Sequence, residues 1–179
     1  GCVLVVARIV RTGDSRLWLW FGVLAGLGLE NKHSTLFFGA AVAAAVLLTP
    51  LRRELGKRGI WLGLGIALLL FLPNVIWNVQ HGWPFLELMR NIRASGRDVA
   101  LGPVEYLARQ VLNMNPASLP VWLAGLGWFL FSGRGRPFRP LGWAFLVTLA
   151  TFVITKGKDY YLAPAFATLF AAGAVGIEG

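Results

Sequence analysis

Apolar runs recur from one end of this chain to the other, and they limit its fold more than any other feature. Seven can be marked, at about residues 1–9, 17–29, 34–49, 60–79, 118–132, 140–154 and 160–177. Charged residues make up only 14% of the 179 residues, whereas a soluble domain carries roughly 25%. Inside a bilayer a segment must satisfy its own backbone hydrogen bonds, which a helix does. The sequence therefore predicts an all-α fold, a polytopic membrane helix bundle.

Segments 17–29 and 34–49 are the least certain spans, because a full crossing needs about 20 residues in a helix. They fit either two tilted spans or one re-entrant hairpin buried among other helices. The chain starts inside an apolar run without a methionine and stops just after another run. We therefore interpret residues 1–179 as part of a single transmembrane domain, a fragment of a longer protein.

Basic residues concentrate in three short loops that alternate along the chain. These loops hold ten of the 17 Lys and Arg, namely Arg8, Arg11, Arg16, Arg52, Arg53, Lys57, Arg58, Arg134, Arg136 and Arg139. The positive-inside rule places such loops in the cytoplasm. The formal net charge of +9 is then a signal of topology, and no nucleic-acid partner is predicted.

The remaining polar features fall together on the extracytoplasmic side. They are Glu30–His33, the long segment 80–118 and the cluster Lys156–Tyr161. Within the long segment, Pro84 and Pro103 each open a short helix, at a position where the missing N–H of proline costs nothing.

These two short helices are predicted to be amphipathic. The first sets an apolar stripe of Phe85, Leu88, Met89 and Ile92 against Glu87, Arg90, Asn91 and Arg93. The second sets Val104, Leu107, Val111 and Met114 against Glu105, Arg109 and Gln110. Joined by residues 94–98, the helices should lie flat at the membrane interface. They form either a platform that guides a lipid or an acceptor into a cleft, or packing over the ends of the bundle.

Residues 156–164 carry the strongest chemical signal. Lysine ammonium groups at Lys156 and Lys158 would stabilise a leaving phosphate more in the transition state than in the ground state. Tyr160 and Tyr161 can donate hydrogen bonds to phosphate oxygens while their rings pack on a prenyl chain. The same pattern also fits simple anchoring of a span at the interface.

A second candidate is the turn Glu30–His33. Lys32 can neutralise a phosphate, and His33 can donate a hydrogen bond or carry a proton. An ordinary solvated turn, in which Glu30 and Lys32 partly compensate each other, fits equally well.

The fourth apolar segment contains polar residues of its own. Pro73 removes a backbone donor and should kink or end the helix. Asn74 and Asn78 follow at a spacing that puts them on one face. Either they line a polar cavity, with His33 and His81 as further lining residues, or they bond neighbouring backbone at the water boundary.

Patterns for metal ligands, paired catalytic carboxylates and glycine-rich phosphate loops are missing from the sequence. Cys2 is the single cysteine, so an intrachain disulfide is excluded. Asp159 suits the orientation of a neighbouring lysine better than the role of a base. No metal site and no cofactor are predicted, and a requirement for a divalent metal stays open.

Three stretches of the chain carry motifs of a known family. They are Gly26–Gly39 around Asn31-Lys32-His33, Phe71–Phe85 with its His-Gly-Trp-Pro-Phe end, and Lys156–Pro164, which is similar to Lys-x-x-Tyr-Tyr-Leu-x-Pro. Together they resemble bacterial family 39 glycosyltransferases. These are relatives of the dolichyl-phosphate-mannose–protein mannosyltransferases and of the lipid A aminoarabinose transferases. The resemblance covers about residues 15–177, with Glu30-Asn31 standing where Leu-Thr is expected.

The resemblance implies a GT-C membrane fold and a polyprenyl-phosphate sugar donor, used on the extracytoplasmic face of the bacterial inner membrane. It places Lys156, Lys158, Tyr160 and Tyr161 near the donor phosphate and Lys32 near the same cavity. In that family the catalytic acidic residues lie in the first outer loop. The general base is therefore expected upstream of this sequence.

These features predict a membrane glycosyltransferase that moves a sugar from a polyprenyl-phosphate donor to a lipid, glycan or protein acceptor. The alternative is a transporter or flippase segment for a lipid-linked or anionic solute, which predicts internal repeats that the sequence does not convincingly show. A third possibility is a membrane scaffold without chemistry, which predicts that no polyprenyl phosphate is retained.

Overall fold

A computed structural model describes residues 1–95 and 101–178, and it leaves the side chain of Arg93 undescribed. In these residues the secondary structure is helical, with no strand. The helices are α1 Cys2–Thr12, α2 Leu17–Asn31, α3 Thr35–Leu48, α4 Arg58–Gln80, α5 Pro84–Ala94, α6 Pro103–Asn113, α7 Leu119–Phe131, α8 Arg139–Ile154 and α9 Ala163–Glu178. The predicted all-α membrane helix bundle is confirmed, and each of the seven apolar segments lies on a helix. Most of the predicted connection 94–98 between the amphipathic helices lies outside the described residues.

Three helical stretches of the described chain are long and apolar enough to cross a membrane. They are Arg58–Gln80, Arg136–Ile154 and Asp159–Glu178. A fourth would be Thr35–Leu48 taken with Pro50–Gly56, although these two bend by 101° relative to each other. By contrast, α2 has only 15 residues, about 22 Å at 1.5 Å per residue. The segments 17–29 and 34–49 are thus both helical, and neither alone has the length of a span.

Close helix pairs hold the bundle together, and glycines allow their approach. α2 packs against α4, and α7 packs against α9. A Cβ added at Gly22 would come within 2.8 Å of the Cα of Gly63, and one added at Gly125 would come within 2.8 Å of the backbone N of Gly173. Backbones that touch in this way gain van der Waals contacts that larger residues would prevent.

Pro73 lies inside α4, which continues to Gln80. Of the two outcomes expected of Pro73, an end of the helix is therefore wrong, and a kink stays a prediction. Proline removes one hydrogen bond, but in a membrane helix neighbouring groups and small local adjustments compensate for it. The outer face of α4 stays apolar and exposed, with Leu69 at 69% and Leu68 at 57% of full exposure.

The basic loops gather at one end of the bundle around a buried carboxylate. Glu54 accepts a hydrogen bond from Trp18 Nε1 at 3.3 Å and pairs with Lys57 Nζ at 2.6 Å. Lys57 also donates to the carbonyl of Gly13 at 3.4 Å. The turn 136–138 contacts α1, the helix that carries Arg8 and Arg11. The three loops that the charge pattern assigned to one side therefore lie together.

Candidate functional site

Three polar segments meet at the other end of the bundle. The turn between α2 and α3 contributes Lys32, which contacts Tyr160 and Tyr161 in the turn before α9. α6 contributes amide groups that hydrogen-bond Asp159. His33 stacks on Phe85 at the start of α5, so α5 reaches the same place. Loop charges alone had assigned these three segments to one side of the membrane. The contacts between them are the central geometric feature of the site.

Two lysines and two tyrosines form what we call the Lys–Tyr cluster, made of Lys32, Lys158, Tyr160 and Tyr161. Lys32 Nζ lies 4.4 Å from the ring centroid of Tyr161 and 5.7 Å from that of Tyr160. Lys158 Nζ lies 6.0 Å from the Tyr160 ring, whose centroid is 4.9 Å from that of Tyr161. An ammonium over an aromatic face gains about 0.5–1 kcal/mol at an exposed site. Both ammonium groups therefore lie within about 6 Å of the Tyr160 ring at this end of the bundle.

The end of α8 positions this cluster through a specific turn. Gly157 N–H donates to the carbonyl of Phe152 at 2.8 Å, and Lys156 N–H donates to that of Val153 at 3.4 Å. This is the pattern of a helix ending in a left-handed residue, and Lys156 takes that conformation with φ of 52°. Glycine is the usual residue there, because a side chain costs about 1–2 kcal/mol in this region. Lys156 is exposed.

Asp159 is held from three sides. Gln110 Nε2 donates to its backbone carbonyl at 3.0 Å, and Asn113 Nδ2 donates to Oδ2 at 3.2 Å. Its Oδ1 accepts from the backbone N–H of Tyr160 at 2.9 Å. The carboxylate is thus bonded to an amide side chain and to backbone, rather than to a lysine as the sequence suggested.

α6 turns a polar face inward, which corrects the predicted pattern. Gln110 was assigned to the exposed side, yet it is only 3% exposed, whereas Val104 on the predicted apolar side is 82% exposed. The reason is that α6 packs on the turn 159–162, where Gln110 donates to the Asp159 backbone carbonyl, a bond that an aliphatic side chain cannot make. Burial raises the pKa of the Tyr106 phenol to about 12, and the charge of Asp159 adds to this rise.

The predicted cavity residues on α4 bond locally. Asn78 Nδ2 donates to the backbone carbonyl and to Oδ1 of Asn74, both at 2.9 Å. His81 is exposed, and its ring stacks on that of Trp77 with centroids 4.4 Å apart. Its Nδ1 lies at hydrogen-bond distance, 2.8 Å, from the Trp77 backbone carbonyl oxygen. The structure therefore joins the two asparagines to each other, and a role for them in lining a cavity stays a prediction.

His33 is placed by aromatic contacts. Its ring stacks on Phe85 with centroids 4.4 Å apart and meets Phe71 edge-on at 6.1 Å. The chain reaches Phe85 through a tight turn in which Gly82 and Trp83 both have positive φ, 69° and 60°. This turn directs α5 back toward the α2–α3 turn, where its residue Phe85 packs against His33.

An apolar chamber of about 370 Å³ lies between α2, α3 and α4. Its wall includes Phe21, Leu29, Leu36, Ala67 and Leu68. Leu29 and Leu36 flank the turn that carries Lys32 in the sequence. Residues on both sides of the Lys32 turn therefore belong to the chamber wall, whereas the residues of the Lys–Tyr cluster themselves do not line it.

Metal ligands do not gather anywhere in the described residues, since no group of three or more His, Cys, Asp or Glu side chains is placed to hold an ion. Tyr106, Gln110 and Asn113 were not recognised as site residues in the sequence. Their spacing of four and three residues places them on one helical face, and that polar stripe was the available signal.

Fold and site together define a membrane helix bundle with a basic, phenolic cluster at one end. Residues 2–77 match the family model described as dolichyl-phosphate-mannose-protein mannosyltransferase. The match covers less than half of the chain; it includes Lys32 but not the turn with Lys158, Tyr160 and Tyr161. It supports a membrane glycosyltransferase in general. No curated protein and no solved structure matches the chain.

Proposed function

We propose that this chain forms the donor-phosphate half of a membrane glycosyltransferase that uses a polyprenyl-phosphate sugar. One observation carries the proposal: Lys32 and Lys158, 126 positions apart in the sequence, approach the ring of the same tyrosine, Tyr160. Simple interfacial anchoring does not require such a meeting, because each lysine could reach water independently. Two ammonium groups and two phenols at one place suit a phosphate monoester or diester.

In the proposed reaction an acceptor hydroxyl attacks the anomeric carbon of the sugar. The bond from this carbon to the phosphate oxygen breaks, and its electron pair leaves with the polyprenyl phosphate. The hydroxyl proton passes to a base that we assign to no residue of this chain. Lys32 and Lys158 stabilise the charge that grows on the departing phosphate, and the Tyr160 and Tyr161 hydroxyls donate to its oxygens.

Lys156 belongs to this proposal through its backbone conformation. A non-glycine residue in the left-handed region costs conformational energy, and a lysine side chain does nothing to lower that energy. A charge needed at the mouth of the site gives a reason for lysine at this position. Lys156 would then extend the basic surface beyond the Lys–Tyr cluster.

The apolar chamber fits the prenyl chain of the donor. Leu29 and Leu36, on either side of the Lys32 turn in the sequence, belong to its wall, so a lipid whose phosphate lies at the cluster could place its chain between α2, α3 and α4. Its wall is almost entirely apolar, as an isoprenoid requires. By the positive-inside rule the cluster end faces the extracytoplasmic side of the bacterial inner membrane. A lipid, glycan or protein hydroxyl is the acceptor on that side.

The test measures donor binding and transfer by the purified full-length protein in lipid nanodiscs. We expect Lys32→Met and Lys158→Met each to weaken binding of undecaprenyl monophosphate by about tenfold, since a charge near a phosphate contributes on the order of 1–2 kcal/mol. Arg109→Met is the matched control, because it removes one charge from an exposed position on α6 at the same end. Unchanged binding and transfer in both lysine variants would refute the proposal.

A further inference from the structure

We propose that Gln110 and Asn113 on α6 are positioning residues, which act through Asp159 to orient Lys158 and Tyr160 toward the donor phosphate. The inference rests on the proposed function, because it assigns a task to residues that touch neither donor nor acceptor. It also explains why an aspartate stands between a lysine and a tyrosine in a site for an anion.

The bonds around Asp159 leave this residue little freedom. Gln110 is 3% exposed and bonds the Asp159 backbone carbonyl, so this contact is shielded from competing water. Asn113 and the N–H of Tyr160 each take one carboxylate oxygen. A carboxylate that accepts one bond from a side chain and one from backbone is fixed in its rotation. The geometry thus assigns an orienting role to Asp159.

Fixing Asp159 also fixes its neighbours on either side. Lys158 precedes it and Tyr160 follows it, so a rotation of the Asp159 backbone would redirect both side chains. The rest of the turn is anchored separately: Leu162 is fully buried, and Gly157 is bonded to Phe152. α6 therefore holds the middle of the turn, between the residues that the ends of α8 and α9 fix.

An exchange of partners tests this inference. Asn113→Asp places two carboxylates where the donor and acceptor now lie 3.2 Å apart, and their repulsion should push Asp159 out of position. We expect binding of undecaprenyl monophosphate to weaken by about tenfold, the value of one charge-assisted hydrogen bond. In the double variant Asn113→Asp with Asp159→Asn, the new amide at 159 donates to the new carboxylate at 113. Binding should return to within about twofold of the native protein.

Gln110→Met gives a second, independent measurement. Methionine has a similar length and cannot donate to the Asp159 carbonyl. The KM for the donor should rise while the KM for the acceptor stays the same, because only the donor half of the site is disturbed. Arg109→Gln, at the neighbouring exposed position of α6, is the control and should leave both constants unchanged. The thermal unfolding temperature of each variant shows whether the protein is folded.

The outcomes separate this inference from the proposed function. If Lys158→Met weakens donor binding but Asn113→Asp does not, the inference fails and the proposed function stands. If Asn113→Asp weakens binding and the double variant does not restore it, the positioning role also fails, and the proposed function is unaffected. If the native protein does not retain undecaprenyl monophosphate at all, both are overturned. Loss in the single variant with recovery in the double variant, together with a raised donor KM in the uncharged Gln110→Met variant, supports the inference.

Discussion

Substituting Gly63 by alanine tests the close approach of α2 and α4, which determines where the Lys32 turn lies. A Cβ built on Gly63 would come within 2.8 Å of the Trp18 carbonyl carbon and nearer still to its oxygen. Ordinary contacts begin at about 3.5 Å, so the two backbones would have to separate by roughly 1 Å. The carbonyl belongs to a helix backbone and cannot rotate away as a side chain would.

The expected magnitude follows from two opposing terms. Overpacking of this kind costs about 1–3 kcal/mol. Alanine recovers up to about 1 kcal/mol, because it is a better helix former than glycine. We expect Gly63→Ala to lower the free energy of unfolding by about 1–2 kcal/mol, measured by far-UV circular dichroism during SDS titration of mixed micelles.

Gly65 provides the matched control on the same helix. A Cβ at Gly65 would meet nothing within 4 Å, so Gly65→Ala should be neutral or raise the free energy of unfolding by up to about 1 kcal/mol. A Gly63→Ala protein as stable as the native one would refute the close α2–α4 contact. Equal losses in both variants would show that glycine matters here for a reason other than packing.

Three further predictions concern individual residues. Lys156→Gly should raise the free energy of unfolding by about 1 kcal/mol, because glycine accepts the left-handed conformation, while donor affinity falls; a stability gain without loss of donor binding would remove Lys156 from the site. The pKa of the Tyr106 phenol is raised to about 12 in the folded protein, against about 10 in an unfolded chain. The stability that the neutral phenol contributes is therefore full below pH 10 and is lost as the pH rises to about 12. Tyr106→Phe should flatten the pH dependence of unfolding in that range, and an unchanged curve would contradict the burial of the phenol. Glu54→Gln should destabilise the protein by about 1–2 kcal/mol, since it removes the charge that binds Lys57. The control Glu87→Gln, at an exposed position of α5, should leave the unfolding midpoint unchanged. Equal effects of the two substitutions would argue against the buried contact at Glu54.

Local patterns explain what was predictable about the fold. The apolar runs matched helices because a membrane segment must satisfy its backbone internally, whatever its neighbours are. Pro84 and Pro103 marked the first residues of α5 and α6 because proline suits the first turn of a helix. Pro73 left two outcomes open, a kink or an end of the helix, for the opposite reason. The effect of an internal proline depends on groups outside its own segment, which the sequence does not locate.

The candidate site was predictable only in part. The residue types of the Lys–Tyr cluster suggested a phosphate, and loop charges suggested that its two halves share a side. The sequence could not show that Lys32 approaches Tyr160 and Tyr161, because that contact depends on how α2 and α9 are rotated. Gln110 was misassigned for a related reason: amphipathic patterns assume an apolar neighbour, and α6 packs against a polar turn.

By itself, then, the amino-acid sequence determined an all-α membrane protein, the approximate bounds of its helices, and the separation of basic loops from the polar residues at the other end. Hydrophobicity, helix propensity and charge act over a few residues and need no knowledge of the fold. Only the tertiary structure decided that Gly22 faces Gly63, that α6 holds Asp159, and that two distant lysines meet at one tyrosine. Such contacts depend on the rotation and spacing of whole helices, which arise from the sum of many long-range packing interactions.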